Sequence, residues 1–527
     1  CFAELSTNSG YGIKVSNLPK EKASRAIDWT GEHVVTTVHS ARRRYDMALL
    51  RFQARLESTQ ADRFFPWLVT LVLWVVLALL AVARSKDLGL NSTLGHHLQA
   101  LHLMEFGTSP EISELGINIF AQHAAFIFFP VALLARIFPP TETLLIIQSL
   151  AISLTAVPLW RIARGPGNLR IGASSALVFA YALHPSIQNL NLSGFHPEVF
   201  ALPALLAAYL EGQKERWWSV GVLLLIVMTS RSDLGLAVAA LGAVFIFEDK
   251  KRHGSAMVSL GLSWFLIMAF IVQPIIGNGE YPHLSSFSSY GTGSFGVLFG
   301  MLSDPVAVFG DLFARESFEK VLLLVAPVLF LPLVRMRYLI PVFPLLALYL
   351  VAEGGVDELS NPQQDVALLP FVFIGAVYAL TRVGVPGVKR ILVDKRVLAV
   401  LALTAVVFFI RDAASSPYEQ PWDWGRRDVS DVARIDAADS LENYDRVLAH
   451  PSIFNLVAER ETVKLLPDGN YYLPSLELVS GIDVIIFDSG ISNWKEDEVR
   501  TFTHAVQTLG FKEEFNRSGI TVFSKRP

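Results

Sequence analysis

Long apolar runs separated by short polar segments dominate the chain from residue 64 onwards. The first run, Phe64 to about Ala83, is bracketed by Arg63 and Arg84 and has the roughly 17–25 residues that a helix needs to cross a bilayer. Further runs lie at about 119–138, 142–160, 171–188, 197–212, 216–230, 234–247, 255–276, 321–334, 338–352, 366–381 and 397–410. This pattern predicts an α-helical polytopic membrane protein, although the runs at 216–230 and 234–247 are short for a full crossing.

Polar segments flank these runs at both ends. Residues 1–63 are polar, and from about Asp28 to Arg63 apolar residues recur at helical spacing, which predicts an amphipathic cytoplasmic helix near the membrane or a partner. Residues 412–527 alternate strand-like and helix-like pieces, typical of a small α/β domain with a partly parallel sheet. The predicted strands are Arg446–Ala449, Thr462–Leu466, Asp483–Phe487 and Ile520–Phe523, with helices from about Ser452 and from Lys495 to Leu509. We therefore predict three domains, 1–63, 64–411 and 412–527.

The basic residues indicate the orientation. If the run at 119–138 does not cross, about eleven spans remain and most basic loop residues fall on one side, which is the cytoplasmic side. The opposite side keeps little beyond Lys86, Arg231 and Arg315. This places the N-terminus inside and the C-terminal domain outside. The run at 119–138 is then a re-entrant or surface-lying helix on the outer face, covered by protein or by a wet cavity.

Composition agrees with a plasma-membrane protein and excludes some partners. The chain is 52% hydrophobic and 17% charged, against roughly 25% charged residues in soluble domains. Its net charge of −4 argues against nucleic acid, and the single cysteine, Cys1, excludes an internal disulfide. The chain opens on Cys1 without a signal-peptide pattern. We interpret this start as a truncation, with a lipid-modified cysteine as the alternative.

Four polar groups are predicted at the outer membrane border: Asp87 after the first span, His123, the pair His196 and Glu198, and the pair Arg231 and Asp233. Ionisable groups at membrane depth cost about 2–3 kcal/mol each, so they pair or line cavities. Each also has a structural interpretation: a helix cap, a buried histidine, interfacial anchors and a hairpin-closing ion pair. Tyr281, His283 and Tyr290, in the outer loop 277–318, are weaker candidates that we expect to line the wall of the cavity.

Such a set suits glycosyl transfer from a lipid-phosphate donor. Asp87 is the expected general base for an acceptor hydroxyl. The planar guanidinium of Arg231 is the expected phosphate ligand, with a divalent metal on His196 and Glu198 as a tentative aid. No Walker or Gly-rich nucleotide fingerprint is visible, which fits a polyprenyl-phosphate sugar used outside the cell.

At these residues the chain resembles the predicted multi-pass membrane proteins called domain of unknown function 2079, which are grouped with the GT-C superfamily of polyprenyl-phosphate-sugar glycosyltransferases. The resemblance covers about residues 64–350. It rests on Asp87-Leu88-Gly89, His123, Gln148 to Arg164, Phe195-His196-Pro197-Glu198 and Arg231-Ser232-Asp233. It implies a first outer loop with surface-lying helices and an acidic base or metal ligand there, matched by Asp87.

Two positions depart from the family pattern. Asn91 and Ser92 stand where a second acidic residue is usual, and Ser232 replaces an acid. Both changes weaken the case for a metal. The leading hypothesis is a GT-C-type glycosyltransferase that acts on an envelope glycan, lipid or protein. The alternatives are a transporter or lipid flippase, which should show inverted repeats and midplane charges, and a catalytically silent scaffold for envelope assembly.

Overall fold

The computed structural model describes residues 57, 59–277, 279, 281–352, 362–387, 389–466, 479–491 and 494–525. The chain divides into two compact units, Cys1–Arg63 and Phe64–Pro527, and the second holds nearly all of the described residues. The amphipathic helix predicted from Asp28 lies almost wholly outside them.

Helices make up most of the second unit up to residue 412. They are α1 Thr59–Lys86, α2 Ser92–Glu105, α3 Ile119–His123, α4 Phe128–Ala135, α5 Pro140–Leu154, α6 Ala156–Arg164, α7 Ile171–Ala182, α8 Pro185–Leu192, α9 Ala201–Gln213, α10 Trp217–Ser230, α11 Leu234–Phe247, α12 Lys251–Ile267, α13 Gln273–Ile276, α14 Gly293–Ser303, α15 Pro305–Leu312, α16 Arg315–Val325, α17 Phe343–Val351, α18 Pro362–Val383 and α19 Lys395–Asp412. Short 3-10 helices at Pro197–Phe200, Pro282–Tyr290, Ala326–Val328, Leu331–Tyr338 and Ile340–Val342 and a π turn at Met268–Val272 connect some of them. The small hairpins β1 Glu111–Ile112 with β2 Ile117–Asn118 and β3 Val385–Pro386 with β4 Ile391–Leu392 lie between helices.

Within the described residues, five helices are long and apolar enough to cross a membrane: α1, α5 with α6, α12 with α13, α18 and α19. A sixth span results if the segments Ser317–Val328 and Leu331–Tyr338, which meet at 107°, count as one. Four shorter apolar helices include α10 and α11. At 14 residues each, these two are about 21 Å long, less than the ~30 Å hydrocarbon core. The chain is an integral membrane protein, and the count of eleven spans stays a prediction.

The helix α11 forms the centre of the bundle, and most of its residues are buried. It lies close to α12 because glycines face each other across the contact. A Cβ added at Gly242 would lie 2.6 Å from the carbonyl oxygen of Gly254. Small residues are what allow such close approach between membrane helices.

The apolar run at 119–138 is broken. Ala124 has a left-handed backbone (φ +50°) and ends α3 after five residues, and α4 has eight. These helices are about 7 and 12 Å long, too short to cross the bilayer singly. The run is therefore not one continuous spanning helix, and its position as a re-entrant or surface-lying element on the outer face stays a prediction.

The C-terminal segment contains a five-stranded sheet of order β6-β5-β7-β9-β8. Its elements are α20 Val429–Asp439, β5 Val447–Ala449, α21 Pro451–Phe454, β6 Val463–Leu465, β7 Val484–Asp488, α22 Glu496–Thr508, β8 Lys512–Arg517 and β9 Ile520–Ser524. The strand β5 pairs in parallel with β6 and β7, whereas β9 is antiparallel to its neighbours. This confirms the predicted mixed sheet. The sequence missed β8 because this edge strand is largely exposed and polar, and it missed α20, which begins with a capping box at Asp428 and Asp431.

The sheet domain contacts the loop that follows α1 through polar side chains. Asn455 donates to the carbonyls of Leu90 and Asn91 at 3.0 and 3.1 Å and accepts the Gly95 N–H at 2.9 Å. Glu114 accepts the Leu465 N–H at 2.6 Å. Hydrogen bonds to backbone groups fix orientation as well as distance. The start of α2, the residues just before it and the segment after it therefore form the surface that contacts this domain.

Candidate active site

A buried ion-pair cluster lies at the turn between α10 and α11. The Arg231 Nε and Nη2 atoms donate to the two carboxylate oxygens of Asp233 at 2.6 and 2.9 Å. Nη2 also donates to the Tyr349 hydroxyl at 2.8 Å, and that hydroxyl donates to Asp233. Nη1 donates to Glu198 at 3.3 Å and to the Gln363 carbonyl at 3.1 Å.

These contacts use all the donors of Arg231. A guanidinium has five N–H groups, and five hydrogen bonds are formed. The two carboxylates, Asp233 and Glu198, also offset its single positive charge. Arg231 is therefore paired with Asp233, as in the hairpin-closing ion pair that the sequence offered as an alternative, and its role as a phosphate ligand stays a prediction. It joins α11, the turn at Glu198, α17 and the start of α18.

A cavity of about 150 Å³ opens beside this cluster. Five of the candidates named from the sequence line it: His123, Arg231, Asp233, Tyr281 and His283. The other lining residues are Ser232, Phe265, Ser286, Phe287, Leu348, Tyr349, Ala352, Gln363 and Gln364. The structure thus brings together side chains from α3, the α10–α11 turn and the loop 277–318, as a shared site requires.

The broken segment forms one wall of the cavity. The backbone carbonyl of His123 accepts the Ser232 N–H at 2.9 Å, and the Ile127 N–H donates to the Thr229 carbonyl at 2.9 Å. The preceding carbonyl, that of Gln122, accepts hydrogen bonds from His283 Nε2 at 2.8 Å and from Gln273 Nε2 at 3.0 Å. Since these bonds satisfy non-helical backbone at the break, α3 is fixed against the Arg231 turn.

Four predicted residues do not line the cavity: Asp87, Tyr290, His196 and Glu198. Asp87 is not among the residues lining the cavity; its carboxylate accepts the Gly425 N–H at 2.6 Å. Burial raises the pKa of Asp87, and this hydrogen bond only partly opposes the rise. Tyr290 hydrogen-bonds Asp311 and packs in a small cluster with Phe287. Asp87 thus holds a backbone N–H of the segment before α20, the helix after Asp87 is capped by Asn91, and the role of Asp87 as a base stays a prediction.

Comparison with known proteins places the chain in a family. The model of the predicted membrane proteins DUF2079 matches residues 84–522. The chain belongs to the DUF2079 family. No curated protein matches the sequence.

Solved structures identify the fold of this DUF2079 protein. ArnT from Cupriavidus metallidurans bound to undecaprenyl phosphate is similar with a TM-score of 0.51 and 11% identity, covering 89% of this chain and 99% of that one. Its apo state gives 0.50 and 11%, covering 86% and 98%. The mycobacterial arabinofuranosyltransferase AftD gives 0.46 and 13%, covering 87% and 40%. The DUF2079 protein therefore has the fold of the GT-C glycosyltransferases.

The predicted metal pair fits a cation poorly. His196 Nδ1 lies 3.5 Å from Glu198, its Nε2 lies 2.9 Å from the Ser193 hydroxyl, and Glu198 contacts Arg231. Among the described residues no group of three or more His, Cys, Asp or Glu side chains is placed to hold a metal ion. A guanidinium next to Glu198 also disfavours a second positive charge there.

The sequence undervalued three contributors to the site. Tyr349 was hidden inside an apolar run, Gln363 contributes a backbone oxygen, and His283 was named only as a wall residue. For Tyr349 the signal was a phenol inside the apolar run 338–352, since a buried hydroxyl requires a partner. A backbone contribution such as that of Gln363 has no signature in the sequence.

Proposed function

We propose that this protein transfers a sugar from a polyprenyl-phosphate donor to a cell-envelope acceptor on the outer face of the membrane. In this orientation the N-terminus is cytoplasmic and the C-terminal sheet domain is extracytoplasmic. The observation that carries the proposal is the fold, which extends over 99% of an ArnT chain whose structure holds undecaprenyl phosphate. The cavity at the predicted outer border supports it, since donor and acceptor need one shared site.

The lipid tail of the donor has an apolar path beside the cavity. Phe265 of α12 lines the cavity. On the same helix, Leu262 and Leu266 are 43% and 51% exposed, although both are aliphatic. A helix with this much apolar exposure faces lipid. We propose that the polyprenyl chain lies along α12 and that its phosphate reaches the cavity past Phe265.

Arg231 would act on the phosphate through one atom. Its Nη1 bonds, at 3.3 and 3.1 Å, are longer than both of its bonds to Asp233. Nη1 is therefore the donor most readily turned towards a ligand, while the pair with Asp233 stays closed. Since Asp233 and Glu198 offset the charge, the contribution of Arg231 is a directed hydrogen bond.

The test uses the full-length protein in proteoliposomes. We expect saturable binding of undecaprenyl phosphate, weaker binding of undecaprenol, and release of undecaprenyl phosphate from an undecaprenyl-phosphoryl sugar when envelope lipid extract is supplied as acceptor. Ser286→Trp, which fills the cavity, should abolish both binding and release. Ser289→Trp, at an exposed position of the same loop, is the matched control. Movement of the lipid between leaflets without release would instead favour the flippase, and absence of both would favour the scaffold.

A further inference from the structure

We infer that His283 is the general base that deprotonates the acceptor hydroxyl. The inference rests on the proposed transferase function and assigns a residue to its proton-transfer step. A general base needs an atom that can still accept a proton, so the ionisable groups of the cavity are the candidates. Arg231, Asp233, Tyr349, Tyr281, His123 and His283 are the ionisable side chains on its wall.

Asp233 and Tyr349 are already hydrogen-bonded within the Arg231 cluster. Both carboxylate oxygens of Asp233 accept from Arg231, and one also accepts from Tyr349. A carboxylate held by a guanidinium and a phenol is a weak base, because each of these bonds favours its ionised form. The Tyr349 hydroxyl donates its hydrogen to Asp233 and accepts a hydrogen bond from Arg231. Neither Asp233 nor Tyr349 therefore accepts a proton readily.

His283 is held in one tautomer. Its Nε2 lies 2.8 Å from the backbone carbonyl of Gln122. A carbonyl oxygen accepts hydrogen bonds only, so Nε2 carries the hydrogen and the Nδ1 of the neutral ring keeps its lone pair. A histidine whose one nitrogen is fixed by an acceptor and whose other nitrogen is open is the arrangement that general bases use.

The neighbours of His283 fix its plane. The His123 ring stacks on it with centroids 5.4 Å apart and 23° between the planes, and Tyr281 meets it edge-on at 5.4 Å. The carbonyl that orients His283 belongs to α3, whose next carbonyl is bonded to Ser232 of the Arg231 turn. One short segment thus positions the proposed base relative to the proposed phosphate ligand. This gives the otherwise unexplained break in the 119–138 run a role.

In the proposed step the acceptor O–H gives its proton to His283 Nδ1, and the acceptor oxygen forms a bond to the anomeric carbon of the sugar. The bond from that carbon to the phosphate oxygen breaks, and its electron pair leaves with polyprenyl phosphate. The imidazolium formed, still bonded through Nε2 to the Gln122 carbonyl, returns its proton to water.

The experiment compares His283→Gln with wild type in the release assay. Glutamine retains an N–H for the Gln122 carbonyl but has no basic nitrogen. We expect kcat to fall by about 10²-fold or more, with undecaprenyl phosphate affinity unchanged and the acidic limb of the pH–rate profile lost. His504→Gln, on the exposed face of α22, is the matched control. Asp87→Asn, measured in parallel, tests the base assigned from the sequence.

The outcomes distinguish the assignment of His283 from the transferase proposal. If wild type releases phosphate and His283→Gln stays within about threefold of it, or keeps the same acidic limb, His283 is not the base. A loss confined to Asp87→Asn would return that role to Asp87. If wild type neither binds undecaprenyl phosphate nor releases it from any donor, the transferase proposal itself fails, and the assignment of His283 fails with it.

Discussion

The carboxylate of Asp87 accepts the backbone N–H of Gly425 at 2.6 Å. The two residues are 338 positions apart, and the bond ties the end of the first span to the segment that precedes the sheet domain. Next to it, the Arg84 guanidinium lies 5.0 Å from the centre of the Trp424 ring. The residue that the sequence favoured as a base thus helps to attach the C-terminal domain to the membrane domain.

This contact predicts a difference between two substitutions of Asp87. Asp87→Asn keeps an oxygen for the Gly425 N–H, whereas Asp87→Ala removes it and leaves a partly buried donor unpaired. We expect Asp87→Ala to lower the stability by about 1–3 kcal/mol and Asp87→Asn by much less, measured as thermal unfolding midpoints in detergent. Equal losses in the two variants would contradict the role of this hydrogen bond.

Asp87 and Glu114, which accept backbone N–H groups of the C-terminal segment, predict that the stability depends on pH. Burial raises the pKa of Asp87 and of Glu114, although a backbone N–H lowers each in part. Because their pKa values are higher in the folded protein than in the unfolded chain, the folded state takes up protons first as the pH falls. Their stabilising effect is complete below their ordinary pKa values, near 4, and is lost as the pH rises through the raised values.

The measurement compares wild type with the double variant Asp87→Asn/Glu114→Gln at pH 7 and pH 5. The amides do not titrate, so wild type should gain unfolding temperature relative to the variant at the lower pH. An unchanged difference between the two proteins would show that these carboxyls do not titrate in this window.

The Arg231 cluster predicts that lysine cannot replace arginine. Arg231→Lys offers three donors without the planar fork, so Asp233, Glu198 and Tyr349 cannot all keep their partners. Breaking a buried ion pair costs about 3–5 kcal/mol. We expect a loss of this size in chemical unfolding, and Arg216→Lys, whose side chain is 66% exposed, serves as the control. A near-normal Arg231→Lys protein would show that the cluster is not closed.

The contact between α11 and α12 predicts a strong effect of bulk at Gly242. Gly242→Leu would place its Cβ 2.6 Å from the Gly254 carbonyl, which forces the helices apart. Gly221→Leu on α10, where an added Cβ meets nothing within 4 Å, is the matched control. We expect the first variant to be recovered as aggregate and the second as monodisperse protein in size-exclusion chromatography in detergent.

The sequence determined the features that depend on local pattern. The first span and the mixed sheet follow from run length and alternation. Loop charge predicted that the run at 119–138 does not cross, but its break at Ala124 is seen only in the structure. The sequence also selected His123, Arg231, Asp233 and Tyr281, because ionisable or phenolic groups beside spans have few stable environments other than a shared cavity.

Only the tertiary structure decided what those residues do. The partners of Arg231 lie up to 132 positions away in the sequence and include a backbone carbonyl. The carbonyl that holds His283 is 161 positions away, and the Gly425 N–H that donates to Asp87 is 338 positions away. Residue type limits which bonds a side chain can form, but packing of distant segments chooses among them. Packing thereby made Asp87 a contact to the C-terminal segment and Arg231 the centre of a buried ion-pair cluster, and it placed His283 as the proposed base.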